Sequence, residues 1–231
     1  MQSLLAKPGL KTEGLYNRIA KNSEFEAWFS GSKITDSSGH PMLMFHGTYL
    51  DFDAFASASA FHCFTPDPII AEEHAWNSYS SFKNDAGGAS VIIMPVYVRA
   101  RRPFDPRAPE CMALMEQWGI GIPSQYDYGE WEPLEDLEIA SRIRVLGFDG
   151  IWMRYGGSYN FLAVFSPLQV KSAIANSGRF NSGSESLTDR DLPEGALRGN
   201  DEMGLHIQDQ HCLAQGAERW RTGWARGRVL L

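Results

Sequence analysis

The sequence predicts a single folded domain of the α+β class. Hydrophobic residues make up 43% of the 231 residues and charged residues 21%, a balance that supplies a packed core and excludes global disorder. Segments with helical periodicity alternate with short β-branched and aromatic runs, and these runs dominate the second half of the chain. The length suits one domain with extensions, because single hydrophobic cores commonly stop growing near this size.

Hydrophobic periodicity and its punctuation predict ten elements. Gly31 ends the first helix and Gly147 the last, while Pro68 suits a first helical turn that Asp67 would cap. Pro95, inside the most β-branched run, favours an edge strand or a bulge. The elements are a helix over 15–29, strands over 41–45 and 60–65, a helix over 69–79, a strand over 89–98, helices over 111–118 and 135–146, and strands over 150–154, 161–165 and 170–173.

Composition divides the chain further. Residues 103–134 contain five prolines and several acidic residues, which predicts an irregular insertion where specificity could reside. Four arginines and two tryptophans lie between 219 and 228, and two interpretations stay open for them: disorder, or docking to an acidic surface. The predicted parts are an N-terminal extension over 1–24, a domain over 25–181, and a polar linker and tail over 182–231.

Charge and cysteine usage exclude several classes. A net charge of −7 disfavours a general phosphate-binding surface, so nucleic acid is not the favoured partner. Cys63, Cys111 and Cys212 are widely spaced without a CxxC pair, which indicates reduced thiols and no metal site. The apolar patch before Lys7 and Pro8 is too short for a signal peptide or a membrane span. We therefore expect a cytoplasmic location, including the cytosol of a host cell after delivery.

Two constellations could hold a flat ligand. A histidine at the end of a buried strand, His46, can donate one hydrogen bond and accept another, and Gly47 lets a ligand approach the backbone. Phe64 and His74 could face each other across a slot that fits a cationic pyridinium. In the alternative interpretation His46 satisfies buried backbone groups in a turn, Phe64 is a core residue and His74 is solvated.

Five phrases stand in order along the chain: Phe25-x-x-Trp28-Phe29, Gly31-Ser32-Lys33, Phe45-His46-Gly47-Thr48, Phe64-Thr65-x-Asp67-Pro68 and Gln169-Val170-Lys171-Ser172-Ala173. Together they resemble the ADP-ribosyltransferase superfamily, in the branch whose His–aromatic–acid layout diphtheria toxin and the poly(ADP-ribose) polymerases share. They look most like the ADP-ribosyltransferase domains of phage and prophage polyvalent proteins. The resemblance runs from about Phe25 to Phe180 and implies a split β-sandwich with flanking helices.

The resemblance also implies that the chain uses NAD as co-substrate. His46 would hydrogen-bond the adenosine-side ribose, and the Gly47 backbone would hold the nicotinamide carboxamide. Phe64 and His74 stand where the family usually has two stacking tyrosines, which keeps aromatic faces but removes the phenol hydroxyls. The expected catalytic residues are His46, Phe64, His74 and Asn160. The expected NAD-lining residues are Gly47, Thr48, Thr65 and Phe161.

One departure from the family concerns its catalytic acid. Phe161, with Asn160 beside it, occupies the position where the family often has a glutamate. In relatives that carboxylate stabilises an oxocarbenium-like ribosyl cation, and losing such a group costs on the order of a hundredfold or more in rate. Three outcomes follow: transfer of one ADP-ribose with a carboxylate from the target, supply of an acid by Glu72 or Glu130, or a nucleotide-binding module without chemistry.

The leading prediction is a mono-ADP-ribosyltransferase that cleaves the nicotinamide–ribose bond of NAD. Its acceptor would be a host protein or another macromolecule, as for a toxin or effector of phage or prophage origin. The alternatives are an NAD glycohydrolase, with water as acceptor, and a non-catalytic module that binds NAD or ADP-ribose.

Overall fold

The computed structural model describes residues 19, 21–57, 59–82, 91–120, 134, 136–155 and 159–190. Within these ranges the helices are α1 (Ser23–Phe29), α2 (Pro68–Phe82), α3 (Pro109–Gln117) and α4 (Leu137–Val145). The strands are β1 (Leu43–Thr48), β2 (His62–Phe64), β3 (Ile92–Val98), β4 (Pro103–Phe104), β5 (Gly150–Tyr155), β6 (Tyr159–Val164) and β7 (Val170–Ser172). A single 3-10 turn, Pro167–Gln169, leads into β7.

The strands form two sheets that meet along one edge. The first sheet has the order β1-β3-β7 and is antiparallel. The second has the order β2-β6-β5-β4, in which the β4–β5 pair is parallel and the other two described pairs are antiparallel. An isolated bridge between Phe45 and Thr65 joins their edges, with N···O distances of 2.7 and 3.0 Å. The predicted α+β fold, a split β-sandwich with flanking helices, is therefore confirmed.

Two hydrophobic clusters hold this architecture together. The first lies between the sheets and beneath α1, and the second lies under α3 and α4 against the second sheet. The first includes Phe25, Trp28, Met44, Phe64, Val96, Leu162 and Val164. The second includes Phe104, Met115, Ile143, Phe148, Ile151 and Met153. Burial of these side chains is the main driving force for the sandwich.

Helix boundaries follow the caps that the sequence contains. Asp67 accepts a hydrogen bond from the N–H of Ile69 at 2.9 Å, so the predicted cap of α2 is confirmed. Gly147 adopts a φ of +82° after α4, as its predicted capping role requires. The predicted helix over 15–29 is interrupted, however, because the Asn22 side chain accepts from two N–H groups of a new first turn. Helix α1 therefore begins at Ser23.

Two strand predictions are corrected. β1 continues through Thr48, so His46 lies inside the strand and not at its end. β3 is the central strand of its sheet, so Pro95 is at neither an edge nor a bulge. The ladder to β7 spans Val96 to Val98, and Pro95 lies just outside it. Its missing N–H therefore removes no ladder hydrogen bond.

The packed part of the chain continues beyond the predicted boundary at 181. Leu187 is 1% exposed and belongs to the cluster between the sheets, and Asp189 is buried as well. Composition places this boundary too early, because one buried leucine in a Ser-rich stretch hardly changes the average hydropathy of the segment. Glu130 and the Trp/Arg-containing residues 219–228 lie outside the described residues.

Candidate functional site

His46 projects from β1 into the space between the sheets. Its Nδ1 lies 3.0 Å from the carbonyl oxygen of Cys63. Because a carbonyl only accepts, Nδ1 carries the proton, and Nε2 of the neutral ring is left as an acceptor. Burial lowers the pKa of His46 below its usual 6.5, against the hydrogen bond to Cys63, which raises it. The ring is therefore neutral at pH 7, with a fixed tautomer.

Gly47 makes room for helix α2. A Cβ atom at this position would lie 1.8 Å from the carbonyl oxygen of Ala71 and 3.1 Å from the Cβ of Ala75. A separation of 1.8 Å is far inside van der Waals contact, so no other residue fits without moving the helix. The sequence predicts that the glycine opens space for a ligand, whereas the structure fills that space with α2.

The backbone of Gly47 faces the gap where β1 and β2 separate beyond the Phe45–Thr65 bridge, here called the crevice. The N–H and the C=O of Phe45 both form hydrogen bonds with the backbone of Thr65, so these two groups point away from β3. Gly47 follows two residues later, and strand geometry directs its N–H and C=O to the same side. The bridge to Thr65 is isolated, so β2 does not continue the ladder to Gly47. A donor and an acceptor therefore face the crevice side by side.

An aromatic pair, here called the aromatic lip, lies beside the crevice on the side of α2. The rings of His74 on α2 and Phe161 on β6 are 4.9 Å apart at 83°, an edge-to-face contact. Ala71, which packs on Gly47, precedes His74 by less than one helical turn on α2. Helix α2 therefore contacts both Gly47 and Phe161, and Phe161 also packs on the second hydrophobic cluster.

Phe64 does not form a wall of the crevice. Its ring is 1% exposed, belongs to the core between the sheets, and packs 5.7 Å from His46. Cys63 pairs with Ala163, two residues from Phe161, so Cys63 and Phe161 share a face of the second sheet. The expected pairing of Phe64 with His74 is therefore wrong, because His74 contacts Phe161 instead. A shift of one residue reverses the face of a strand.

Thr48 and Thr65 shape turns. Both side chains are buried. Thr48 accepts from the N–H of Leu50 at 3.0 Å, and Thr65 accepts from the N–H of Asp67 at 3.2 Å. Their hydroxyls thus fix the chain after β1 and the start of α2, and a direct contact of either with NAD stays a prediction.

The position of the expected acid holds no carboxylate. Phe161 packs against His74 there. Asn160 pairs with Arg154 through the backbone of the β5–β6 hairpin, and its side chain lies outside the described part. Glu72 is half-buried on α2, two residues before His74. Whether Glu72 or Glu130 supplies an acid therefore stays a prediction.

His62 is a site residue that sequence reasoning missed. Its side chain is 3% exposed, its ring lies 4.9 Å from that of Phe55, and its Nε2 has no hydrogen-bond partner. Burial, and then the nearby His46, lower the pKa of His62 to about 3. Alternation along β2 places His62 on the face of Phe64. A strand of three residues carries too little alternation for the sequence to show this.

The free energy of unfolding is expected to fall as the pH drops from 7 to 5. An unfolded histidine takes up a proton near pH 6.5, whereas folded His62 stays neutral down to about pH 3, so acid favours the unfolded state. At ~1.4 kcal/mol per pH unit, His62 costs about 2 kcal/mol at pH 5. Urea unfolding at both pH values measures the loss, and His62→Leu should reduce it.

His40→Leu is the matched control, because the His40 side chain is 49% exposed and lies outside the core, 3.8 Å from Asp36. The loss of stability between pH 7 and pH 5 should persist in this variant. Equal losses in the wild type and in His62→Leu would contradict the assignment.

Two further properties bear on the class of site. Within the ranges given above, no three His, Cys, Asp or Glu side chains are grouped to hold a metal ion. No helix in those ranges is both long and apolar enough to cross a membrane.

Comparison with known proteins identifies the class that this architecture defines. The family described as ADP-ribosyltransferase in polyvalent proteins matches residues 36–180, more than half of the chain. The chain belongs to this family of ADP-ribosyltransferase domains. Membership supports ADP-ribosyl transfer as its general activity. Neither the curated proteins nor the solved structures include a match.

Proposed function

We propose that this domain cleaves the nicotinamide–ribose bond of NAD and transfers one ADP-ribose to a macromolecular acceptor. The observation that carries the proposal is the Gly47 backbone at the crevice, beside a histidine of fixed tautomer. A carboxamide has one acceptor and one donor group on adjacent atoms. The N–H of Gly47 can donate to its oxygen while the C=O of Gly47 accepts from its NH₂.

His46 supports binding of the ribose. In the neutral tautomer the Nε2 of His46 can accept a hydrogen bond, and a ribose hydroxyl can donate one. The lowered pKa of His46 keeps this acceptor available at neutral pH. A protonated ring would present a second donor and lose the interaction.

The aromatic lip supports binding of the cationic ring and limits the chemistry. Nicotinamide in NAD is a pyridinium cation, which aromatic faces such as that of Phe161 attract. When the bond from the ribose C1′ to the pyridinium nitrogen breaks, its electron pair leaves with nicotinamide and C1′ becomes electron-deficient. Phe161 supplies no charge to stabilise that carbon. This favours a single transfer to an acceptor that brings its own carboxylate, and the acceptor oxygen then forms the new bond to C1′.

Labelled NAD incubated with the protein and a bacterial lysate tests the proposal. Nicotinamide should be released, and a macromolecule should become labelled. His46→Ala should lower the rate on the order of a hundredfold or more, and His40→Ala, the solvent-exposed control, should not. Absence of nicotinamide release by the wild type would overturn the proposal.

The same assay separates the alternatives. An NAD glycohydrolase would accumulate free ADP-ribose without a labelled macromolecule. A binding module would show a higher melting temperature with NAD and no nicotinamide release. Resemblance to phage and prophage proteins supports a host-cell macromolecule as the acceptor, in the cytosol.

Phe161→Glu is expected to raise nicotinamide release about a hundredfold, because it restores a carboxylate beside the reacting ribose. The rate of release per molecule of enzyme measures the gain. Phe161→Gln is the matched control, since glutamine has nearly the shape of glutamate and no charge. Equal rates for the Glu and Gln variants would show that Phe161 does not face the reacting carbon.

A further inference from the structure

Residues 182–190, here called the clasp, are anchored to the sheet by Lys171. Lys171 lies on β7 and is 0% exposed. Its Nζ donates to the carbonyl oxygens of Ser184 and Ser186 at 2.9 and 2.7 Å, and to Asp189 at 2.7 Å. Three acceptors satisfy all three protons of a buried ammonium. The clasp therefore has one defined position on the core.

The clasp forms hydrogen bonds with a second segment, residues 49–57, here called the aromatic loop. The hydroxyls of Ser186 and Thr188 donate to the Asp53 carboxylate at 2.5 and 2.6 Å, and the N–H of Thr188 donates to it at 3.2 Å. The N–H of Leu187 donates to the carbonyl oxygen of Asp53 at 2.6 Å. Charge-assisted bonds of this kind are about twice as strong as neutral ones. Asp53 thus accepts most of the hydrogen bonds by which the clasp holds the loop, and one further bond runs from the Ser57 hydroxyl to Glu185 at 2.7 Å.

The aromatic loop covers the proposed site. The rings of Phe52 and Phe55 lie 6.2 and 5.0 Å from that of His46, and 4.9 Å from each other. Phe52 directly precedes Asp53, and Phe55 follows two residues later. A fixed Asp53 therefore fixes the two rings that pack on His46. The clasp that does this lies beyond residues 36–180, the part that the family matches.

We propose that Asp53 is a positioning residue for the NAD site and that the clasp, through Asp53, holds the aromatic loop over His46. This inference rests on the proposed function for the identity of the ligand, NAD. The effect of the clasp on the aromatic loop and on His46 does not depend on that function. Without the clasp the loop would open more often, because the packing of Phe55 in the core would then be the main contact holding it, and fewer fixed contacts lower local stability. An open loop would leave His46 in its binding position for only a fraction of the time, and NAD affinity would fall by that fraction.

The test uses the full chain with Asp53→Ala, and with Asp51→Ala as the matched control. Asp51 is an exposed carboxylate of the same loop, so the two changes remove equal charge. Amide hydrogen exchange of residues 49–57 should speed up on the order of a hundredfold in Asp53→Ala, and not in Asp51→Ala. The nuclear magnetic resonance signal of the His46 Nδ1 proton should broaden or shift, and the Kd for NAD should rise about tenfold.

A second variant guards against misfolding. Ser186→Ala with Thr188→Val removes the hydroxyl donors while Asp53 stays, and it should reproduce the exchange, the His46 signal and the Kd. Unchanged loop exchange in both variants, or faster exchange with an unchanged His46 signal, would overturn the inference. If the wild type fails to bind NAD, the proposed function fails, and the exchange and His46 measurements still decide the role of the clasp.

Discussion

Gly47→Ala is expected to destabilise the fold by about 3 kcal/mol and to abolish NAD turnover. The new methyl group would lie 1.8 Å from the carbonyl oxygen of Ala71, a backbone atom that cannot rotate away. Either β1 or α2 must therefore move, at the cost of overpacking. The movement would also displace the N–H and C=O that face the crevice. Urea unfolding measures the stability, and nicotinamide release measures the function.

Gly183→Ala is the control for this prediction. The nearest atom to a Cβ at Gly183 is 3.6 Å away, which is ordinary contact. Its effect on the free energy of unfolding should stay within about 0.5 kcal/mol. A Gly47→Ala variant with wild-type stability would mean that α2 does not pack on β1 at Gly47.

Lys171→Met is expected to cost about 3–5 kcal/mol, because it leaves the buried Asp189 carboxylate without its cationic partner, although Asn176 and Asn181 still donate to it. Loss of the ammonium also removes three hydrogen bonds that hold the clasp. Chemical denaturation measures the loss. Lys33→Met, at an exposed lysine, should change stability by at most about 0.5 kcal/mol.

Adding Asp189→Asn to Lys171→Met should recover part of this loss. The double variant buries no charge, and asparagine tolerates the φ of +48° that Asp189 adopts. A double variant that is less stable than Lys171→Met alone would show that the cost comes from packing and not from the unpaired carboxylate.

Lys171 also shows how a motif can be found without its purpose. The sequence places Lys171 in a phrase shared with the family, at the start of a strand. Its partners Ser184, Ser186 and Asp189 follow 13 to 18 residues later in a polar stretch without periodicity. Backbone carbonyls that accept from a lysine leave no pattern in the side chains, so the sequence predicts a linker where the clasp lies.

The aromatic positions show the same limit at the scale of one residue. The sequence identified the strand that carries Cys63 and Phe64, but a three-residue β2 is too short for alternation to establish its inward face. Pairing with β6 decides it: Cys63 faces the side of Phe161, and Phe64 faces the core. The assignment of Phe161 to the acid position stays a prediction, and the structure adds its contact with His74.

Sequence patterns alone establish the α+β class, the cap of α2 at Asp67, a buried strand that leads into His46, and the family. These depend on local patterns: periodicity, side chains that cap a nearby N–H, and ordered short motifs. Tertiary structure alone decided that Gly47 is required by helix α2, that His62 is buried beside His46, and that Asp53 is gripped by the clasp. Each of these depends on contacts between residues distant in sequence or on strand pairing, which chain order does not specify.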